Sequence, residues 1–378
     1  MKILMIGNGF DLYHGLPTVY IDFLNFIKYV IDGDFMDDQN KFDLSDLKKF
    51  IKENTEQVSL IKKLDDNMWY NYFKQCCQKN QGLDGKTWID FETEIKYVVE
   101  YANLKHLFEL PESSIKDMQN ELAKKMTLVS EKISYSNKDG YEFKFDKQRM
   151  LNDLNELTCA LAIYLHDFVE QLISDNKEKY QSTFIKKNFG SLRYVLSFNY
   201  THTFKEIYGF LKSINYCYIH GEDVNNGKNM VLGIDEYLDE DEKNEQTEFV
   251  AFKKFFQRIV KGTDNEYGKW IKQSKDDYDR YCKSDNDFLN NLFIIGHSLD
   301  VTDRDVIYKL INNDFMQTTV YYYDQTDLEN KVINLMKVIG EDDLIAKTST
   351  NQIKFEQLPE EKLPKNEPSS IDSINVIE

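Results

Sequence analysis

Residues 2–6, KILMI, form a short run that is apolar at every position except the first, and GNGFDLYHGLPT follows with no spacer. A continuous apolar run suits a strand covered on both faces, as in a parallel sheet. After the glycine loop, Tyr20, Phe23, Leu24, Ile27, Val30 and Ile31 recur at helical spacing. The chain therefore opens as strand, glycine loop, helix.

Strand signals return at RYVLSF (193–198), NYCYIH (215–220), MVLGI (230–234), NLFIIG (291–296) and TTVYYYD (318–324). A helix is expected through Ile307, Leu310 and Ile311, where Thr302 and Asp305 have capping-box spacing. Another is expected near 326–338. Residues 32–180 read differently. Phe91, Ile95, Val98, Val99 and Ala102 make one helical stripe, and Leu151, Leu154, Leu157, Leu161, Leu165, Phe168 and Leu172 make a longer one. The one strand candidate there is YEFKF (141–145), with loops near 80–87 and 136–140.

This order predicts a Rossmann-like α/β fold with a mainly parallel sheet and a large helical insertion. Residues 1–31 and 181–345 make the sheet domain, interrupted by the insertion at 32–180 and a mainly helical insert at about 236–290. A flexible tail is expected over 346–378, which holds three of the five prolines.

Apolar residues make up 41% of the 378, enough for a sizeable core. The formal charge of −18 repels phosphate backbones and argues against nucleic acid as a general partner. Five cysteines, with no CxxC pair, fit a reducing cytoplasm and oppose a disulfide framework or a cysteine zinc site. No apolar stretch approaches a membrane span or a signal peptide. A soluble cytoplasmic protein is expected. There is no GxSxG elbow and no Walker P-loop.

Four turns follow apolar strands, and the C-terminal edge of an open α/β sheet is where ligands bind. In the first, Gly7 and Gly9 permit close backbone approach, and the amides starting the next helix can hold an anion. The spacing lacks the third glycine of the dinucleotide fingerprint. The second is SFNYTHT (197–203), where Asn199 could orient a water or a ribose hydroxyl, or Asn199 and Thr201 only satisfy turn amides. In the third, YIHG (218–221), His220 can act as a base near neutral pH. The fourth, IIGHSLDVTD (294–303), offers Gly296, His297 and Ser298 to a ribose, while Ser298, Asp300 and Asp303 also suit a helix cap. Separately, WIDFETE (88–94) puts Asp90 and Glu94 on one helix face and Glu92 on another. An acidic first helical turn accounts for it, and no metal is expected.

The stretches ILMIGNGFDLYHGLPTVYIDFL, WIDFE, SFNYTHTFKEIY, YIHG and LFIIGHSLDVTD resemble the bacteriophage abortive-infection family AbiH. The resemblance implies defence by halting or killing the infected cell. A more distant resemblance links the turns to sirtuin-like NAD-consuming domains. Gly7, Gly9, Gly15, Leu16 and Pro17 match their opening GAGxSxxxGIPxFR loop, with Asn8 for Ala, Asp11 for Ser and no Arg. Asn199 matches the Asn of their QN-x-D turn, with Thr201 in place of Asp. His220 and Gly221 match their catalytic HG pair, and Gly296 to Leu299 match their GTSL turn.

The sirtuin zinc ribbon's cysteines are missing, which opposes protein deacylation. This likeness implies a sirtuin-like NAD pocket, with Asn199, His220 and Asp11 as catalytic residues. Gly7, Asn8, Gly9, Phe10, Gly15, Pro17, Thr201, Gly296, His297 and Ser298 would hold the nucleotide. Hydrolysis of NAD is the expected activity. The alternatives are a non-enzymatic nucleotide sensor and a metal-dependent nuclease built on Asp90, Glu92 and Glu94. A phage-derived trigger and a homo-oligomer are the expected partners.

Overall fold

The computed structural model describes residues 1–36, 42–80, 90–108, 134–135, 144–209, 213–223, 227–235, 247–263, 265–281, 290–361 and 363. The main sheet has six strands: β1 Lys2–Ile6, β2 Tyr194–Ser197, β3 Asn215–Tyr218, β4 Asn290–Ile295, β5 Met316–Tyr322 and β6 Ile353–Gln357. Their order in space is β3-β2-β1-β4-β5-β6, and every neighbouring pair is parallel. This is the doubly wound order of dinucleotide-binding folds. The chain winds outward in one direction from β1 to β3 and in the other from β4 to β6. The switch point lies between β1 and β4.

Both faces of β1 are covered, as its apolar run requires. Leu4 and Ile6 point into one core with the helices that separate β1 from β2. Ile3 and Met5 point into the other, with Val306, Ile307 and Leu310 of the helix Arg304–Ile311 and Leu335 of Gln325–Ile339. In register, Ile6 lies opposite Ser197 and Ile295, so β1, β2 and β4 end level.

Between β1 and β2 the described residues are largely helical, including Tyr20–Asp32, Met68–Asn80, Phe91–Phe108 and Lys147–Ile163. They lock together through aromatic rings. Phe91 stacks on Tyr20 at 4.1 Å and on Phe73 at 4.0 Å. Phe26 meets Phe50, Tyr164 and Phe168 at 4.8–5.1 Å. After Ile163 the backbone widens into a π-helical segment, Tyr164–Val169, before Glu170–Asp175.

Three expectations need correction. MVLGI is buried but adds no strand. Val231 N–H donates to His220 O and Ile234 N–H to Phe252 O, so its backbone is satisfied locally with a single bridge to Lys253. The tail does not begin at 346. Residues 346–349 finish the helix Glu341–Ser349, and β6 extends the sheet beside β5. Residues 364–378 lie outside the described residues. The pair Thr302 and Asp305 makes no capping box. Instead Asp300 accepts from Thr302 N–H at 3.0 Å and caps a short 3₁₀ turn, while Asp305 binds Arg258 at 2.7 Å. In YEFKF, Lys144–Phe145 pairs with Ser134–Tyr135, and 141–143 lie outside the described residues, as do 81–87 and 136–140 of the expected loops. Within the insert expected at 236–290, Lys254–Lys261 and Tyr267–Tyr281 are helical.

Candidate functional site

Level strand ends bring the four turns to one edge of the sheet, where they surround a pocket of about 320 Å³. That is at the small end of ligand pockets, which run roughly 300–1,000 Å³. Gly7, Asn8, Gly9, Asp11, Asn199, Thr201, His220, Gly296, His297 and Ser298 all line it. Phe10, Gly15 and Pro17 do not. The Phe10 ring is buried against His14 and Phe204. Gly15 takes φ 75° where the turn reverses, and the Pro17 carbonyl accepts a hydrogen bond from Tyr164 Oη. These three shape the loop from behind.

The loop's amides are also occupied. Gly9 N–H donates to Gly296 O at 2.8 Å and Phe10 N–H to Gly7 O at 2.8 Å. Two donors of the expected anion cradle at this helix start are therefore spent, Gly9 on joining the β1 and β4 turns and Phe10 within its own turn. Asn8 Nδ2 closes the loop onto Thr18 O at 3.1 Å.

One pocket wall holds Asp11. Its Oδ2 accepts from Thr201 Oγ1 at 2.6 Å. Its Oδ1 is buried and has no hydrogen-bond partner among the described residues. Asn199 donates through Nδ2 to Gly7 O at 3.0 Å, which leaves Asn199 Oδ1 equally buried and unpaired. Thr18 Oγ1 is a third such atom. Burial raises the Asp11 carboxyl to about 7, against the lowering effect of Thr201.

The opposite wall is a charge relay between remote segments. His220 Nε2 sits 2.9 Å from Asp303 Oδ1, which also receives Lys254 Nζ at 3.2 Å. Lys254 Nζ lies 2.8 Å from Glu92 Oε2. Burial works against the Lys254 charge, but Asp303 and Glu92 outweigh it and hold the ammonium above its ordinary value. Burial also raises the Asp303 carboxyl, yet Lys254 and His220 hold it well below the usual range. Two carboxylates share one ammonium, and Glu92, raised by burial, titrates at about 7. Burial lowers His220, so its imidazole is neutral near pH 7. Donation from Nε2 to Asp303 then leaves Nδ1 as the basic nitrogen. His297 accepts Leu299 N–H at Nδ1, 2.9 Å, which leaves its Nε2 to carry the proton, 3.6 Å from Asp303 Oδ2.

Sequence reasoning missed Tyr20, Tyr164 and Lys254 as pocket residues and placed Glu92 only in a separate acidic cluster. Tyr20 and Tyr164 stand among helical apolar residues and read as core. Glu92 and Asp90 both reach the pocket, whereas Glu94, expected to share a face with Asp90, is buried and accepts from Tyr72 Oη at 2.7 Å. Lys254 lies in a charged stretch with no local signature.

A doubly wound parallel sheet with a polar pocket at its switch point defines a Rossmann-like α/β protein. The chain belongs to the family described as bacteriophage abortive infection AbiH, whose model matches residues 3–324. That span takes in β1 to β5 and all four turns. Membership assigns it a role in abortive infection by phage. A comparison with curated proteins finds no match. Among the described residues no helix is long and apolar enough to cross a membrane.

Proposed function

We propose that this protein acts in phage defence by hydrolysing NAD at the bond between nicotinamide and ribose. The observation that carries the reading is a set of buried oxygens without hydrogen-bond partners on residues that line one pocket. Asp11 Oδ1, Asn199 Oδ1 and Thr18 Oγ1 are buried without donors, and leaving such atoms unpaired costs about 1–3 kcal/mol each. A ribose supplies hydroxyl donors to such atoms. The pocket's acidic lining, Asp11, Asp90, Glu92 and Asp303 against Lys254, suits a cationic ring and the oxocarbenium-like charge that develops as it leaves.

In this reading water attacks the ribose C1′ and the C–N bond breaks. The bonding pair returns to the ring nitrogen and gives neutral nicotinamide. The proton lost by water passes to His220 Nδ1, directly or through a ribose hydroxyl. Asp303 holds the imidazolium so formed. Asn199 and Asp11 orient the ribose, and Gly296 to Ser298 face the adenosine end.

Purified protein incubated with NAD should yield nicotinamide and ADP-ribose. His220→Ala and Asn199→Ala should each lower the rate by a hundredfold or more, as loss of a general base does. NAD loss that survives both substitutions would sink the assignment. Because such an effector waits for phage, NAD is also measured in infected cells. A second reading, a nucleotide sensor, draws on Tyr20, Glu92 and Tyr164, through which the helices between β1 and β2 form part of the pocket wall. Its mark is thermal stabilisation by NAD without turnover.

A further inference from the structure

Behind the pocket wall lies a second cluster. His166 and Glu170 stand four residues apart, His166 in the π-helical segment and Glu170 just after it. His202 is part of the SFNYTHT turn, and Asp223 follows YIHG. One ligand atom from each of the four lies within 4.8 Å of every other. We propose that His166, Glu170, His202 and Asp223 bind one divalent transition-metal ion of the zinc type, as a structural site.

The spacing fits. Four ligands at zinc distances of about 2.0–2.2 Å on a tetrahedron lie roughly 3.3–3.6 Å apart. Here His202 Nδ1 is 3.0 Å from Glu170 Oε1 and 3.3 Å from Asp223 Oδ1. His166 Nδ1 is 3.2 Å from Glu170 Oε2 and 3.6 Å from Asp223 Oδ1. Two neutral imidazoles and two carboxylates balance a dication, so the site is uncharged overall. Mixed nitrogen and oxygen donors favour zinc-like ions over calcium or magnesium, which take oxygen alone.

Two independent observations point to an ion rather than to plain ion pairs. The Asp223 side chain is fully buried among these ligands, yet neither of its oxygens accepts a hydrogen bond among the described residues. Among the described residues only the two imidazoles pair with it, at 3.3 and 3.6 Å, and a buried carboxylate so loosely paired is suited to a cation. Further, His202 Nε2 sits 2.9 Å from Glu222 Oε1. That carboxylate holds the outer ring proton, so an ion that displaces the proton on Nδ1 would find that lone pair free, as outer partners of metal-bound histidines arrange.

Four protein donors are enough to fill a tetrahedron and would leave no position for substrate, which marks a structural ion. Its place gives it a task. Tyr164 and Leu165 line the pocket beside His166, Thr201 beside His202, and His220 three residues before Asp223. Asp223 N–H also donates to Tyr200 O at 3.1 Å. The ion thus pins two strand-end turns to the helical segment that faces them.

The test uses the full chain, stripped with a chelator and dialysed. Cobalt(II) should bind at one equivalent and give the intense visible bands of a tetrahedral site. Zinc should abolish those bands by displacement and raise Tm, and a chelator should lower Tm again. His166→Ala, at the most exposed of the four positions, and Asp223→Asn should remove the cobalt bands. Glu222→Gln should weaken cobalt about tenfold to a hundredfold. A folded full-length protein that shows neither cobalt bands nor a zinc-dependent Tm overturns the proposal. So does cobalt binding that His166→Ala and Asp223→Asn leave unchanged.

Discussion

Gly9 donates its backbone N–H to the carbonyl oxygen of Gly296 at 2.8 Å, and neither residue has room for a side chain. A Cβ on Gly9 would lie 2.8 Å from the Gly296 Cα. A Cβ on Gly296, which takes φ +70°, would lie 2.0 Å from the Phe10 nitrogen. These glycines let the β1 and β4 turns touch at the switch point. Their first task is to join two backbones, and the pocket forms beside that join.

Gly296→Ala therefore combines a left-handed backbone with a collision that no rotamer relieves. It should cost about 3 kcal/mol or more. Gly9→Ala, whose backbone conformation needs no glycine, should cost about 1–3 kcal/mol. Urea unfolding of the two variants checks the order. Equal costs would mean that the turns separate easily.

Lys254 is the buried cation between Glu92 and Asp303. Lys254→Met should cost about 3–5 kcal/mol, because it strands two carboxylates in the protein. Adding Glu92→Gln removes one of them. The double variant should recover part of the loss, so that the two effects are not additive. A double-mutant cycle in denaturant measures this. Additive costs would show that Glu92 and Lys254 are not coupled.

What the sequence displayed and what it hid follow the range of the forces involved. KILMI, RYVLSF and NLFIIG were legible because a strand covered on both faces must be apolar throughout. The polar turns after them stood out by contrast, and three of the four give several residues to the pocket. Phe91 to Ala102 read as a helix because one face is apolar. β6 was not legible. Only Ile353 of IKFEQ has a fully buried pattern position, as expected of an edge strand, and the prolines that follow suggested a tail. MVLGI erred the other way, since burial alone does not say where the backbone bonds go. The link from Glu92 to Lys254 joins two charged helices far apart in sequence, and each charge by itself looks like a solvated one.

Asp11 should trade stability for function. Its carboxyl titrates at about 7 in the folded chain, against an ordinary 3.8. Between those values the unfolded chain has lost the proton and the folded chain keeps it. Stability therefore falls as pH rises through this window. Asp11→Asn removes the penalty. It should be more stable than the wild type at pH 8 by about 1–3 kcal/mol and nearly equal at pH 4. NAD turnover should fall in the same variant. Denaturation at the two pH values, with activity on the same samples, tests both halves. A variant less stable at pH 8 would reject the assignment.

His220 sets the acid side of the proposed reaction. Burial lowers its pKa, so the neutral base persists below the ordinary value of 6.5. Turnover should hold through pH 6.5 and decline only at lower pH, as Nδ1 is protonated. Asp303→Asn takes away the carboxylate that favours the imidazolium, so it should lower kcat at every pH and move the acid limb further down. A pH–rate profile of kcat/KM for both proteins measures the limb. A limb that Asp303→Asn leaves unmoved would exclude His220 as the base, whereas a limb near 7 by itself would not, since Asp11 and Glu92 titrate at about 7.

His14, in the opening loop but outside the pocket, should govern acid stability. It is fully buried in a directed chain of hydrogen bonds. Ser182 N–H donates to Tyr208 Oη at 2.7 Å, Tyr208 Oη donates to His14 Nε2 at 2.8 Å, and His14 Nδ1 donates to Phe10 O at 2.6 Å. Only a neutral imidazole fits this order, because a proton on Nε2 would face the Tyr208 proton. Burial accordingly lowers its pKa to about 4, against 6.5 in the unfolded chain. As pH falls from 6.5 to 4 the unfolded chain takes up a proton that the folded chain refuses. Stability is intact above 6.5 and is lost through that window, by up to roughly 3 kcal/mol. His14→Gln should be less stable at pH 7.5, since it breaks the chain, but its stability should fall less steeply below pH 6.5. The difference in slope should approach one proton, about 1.4 kcal/mol per pH unit. Equal slopes for the two proteins between pH 6.5 and 4 would place the acid sensitivity elsewhere.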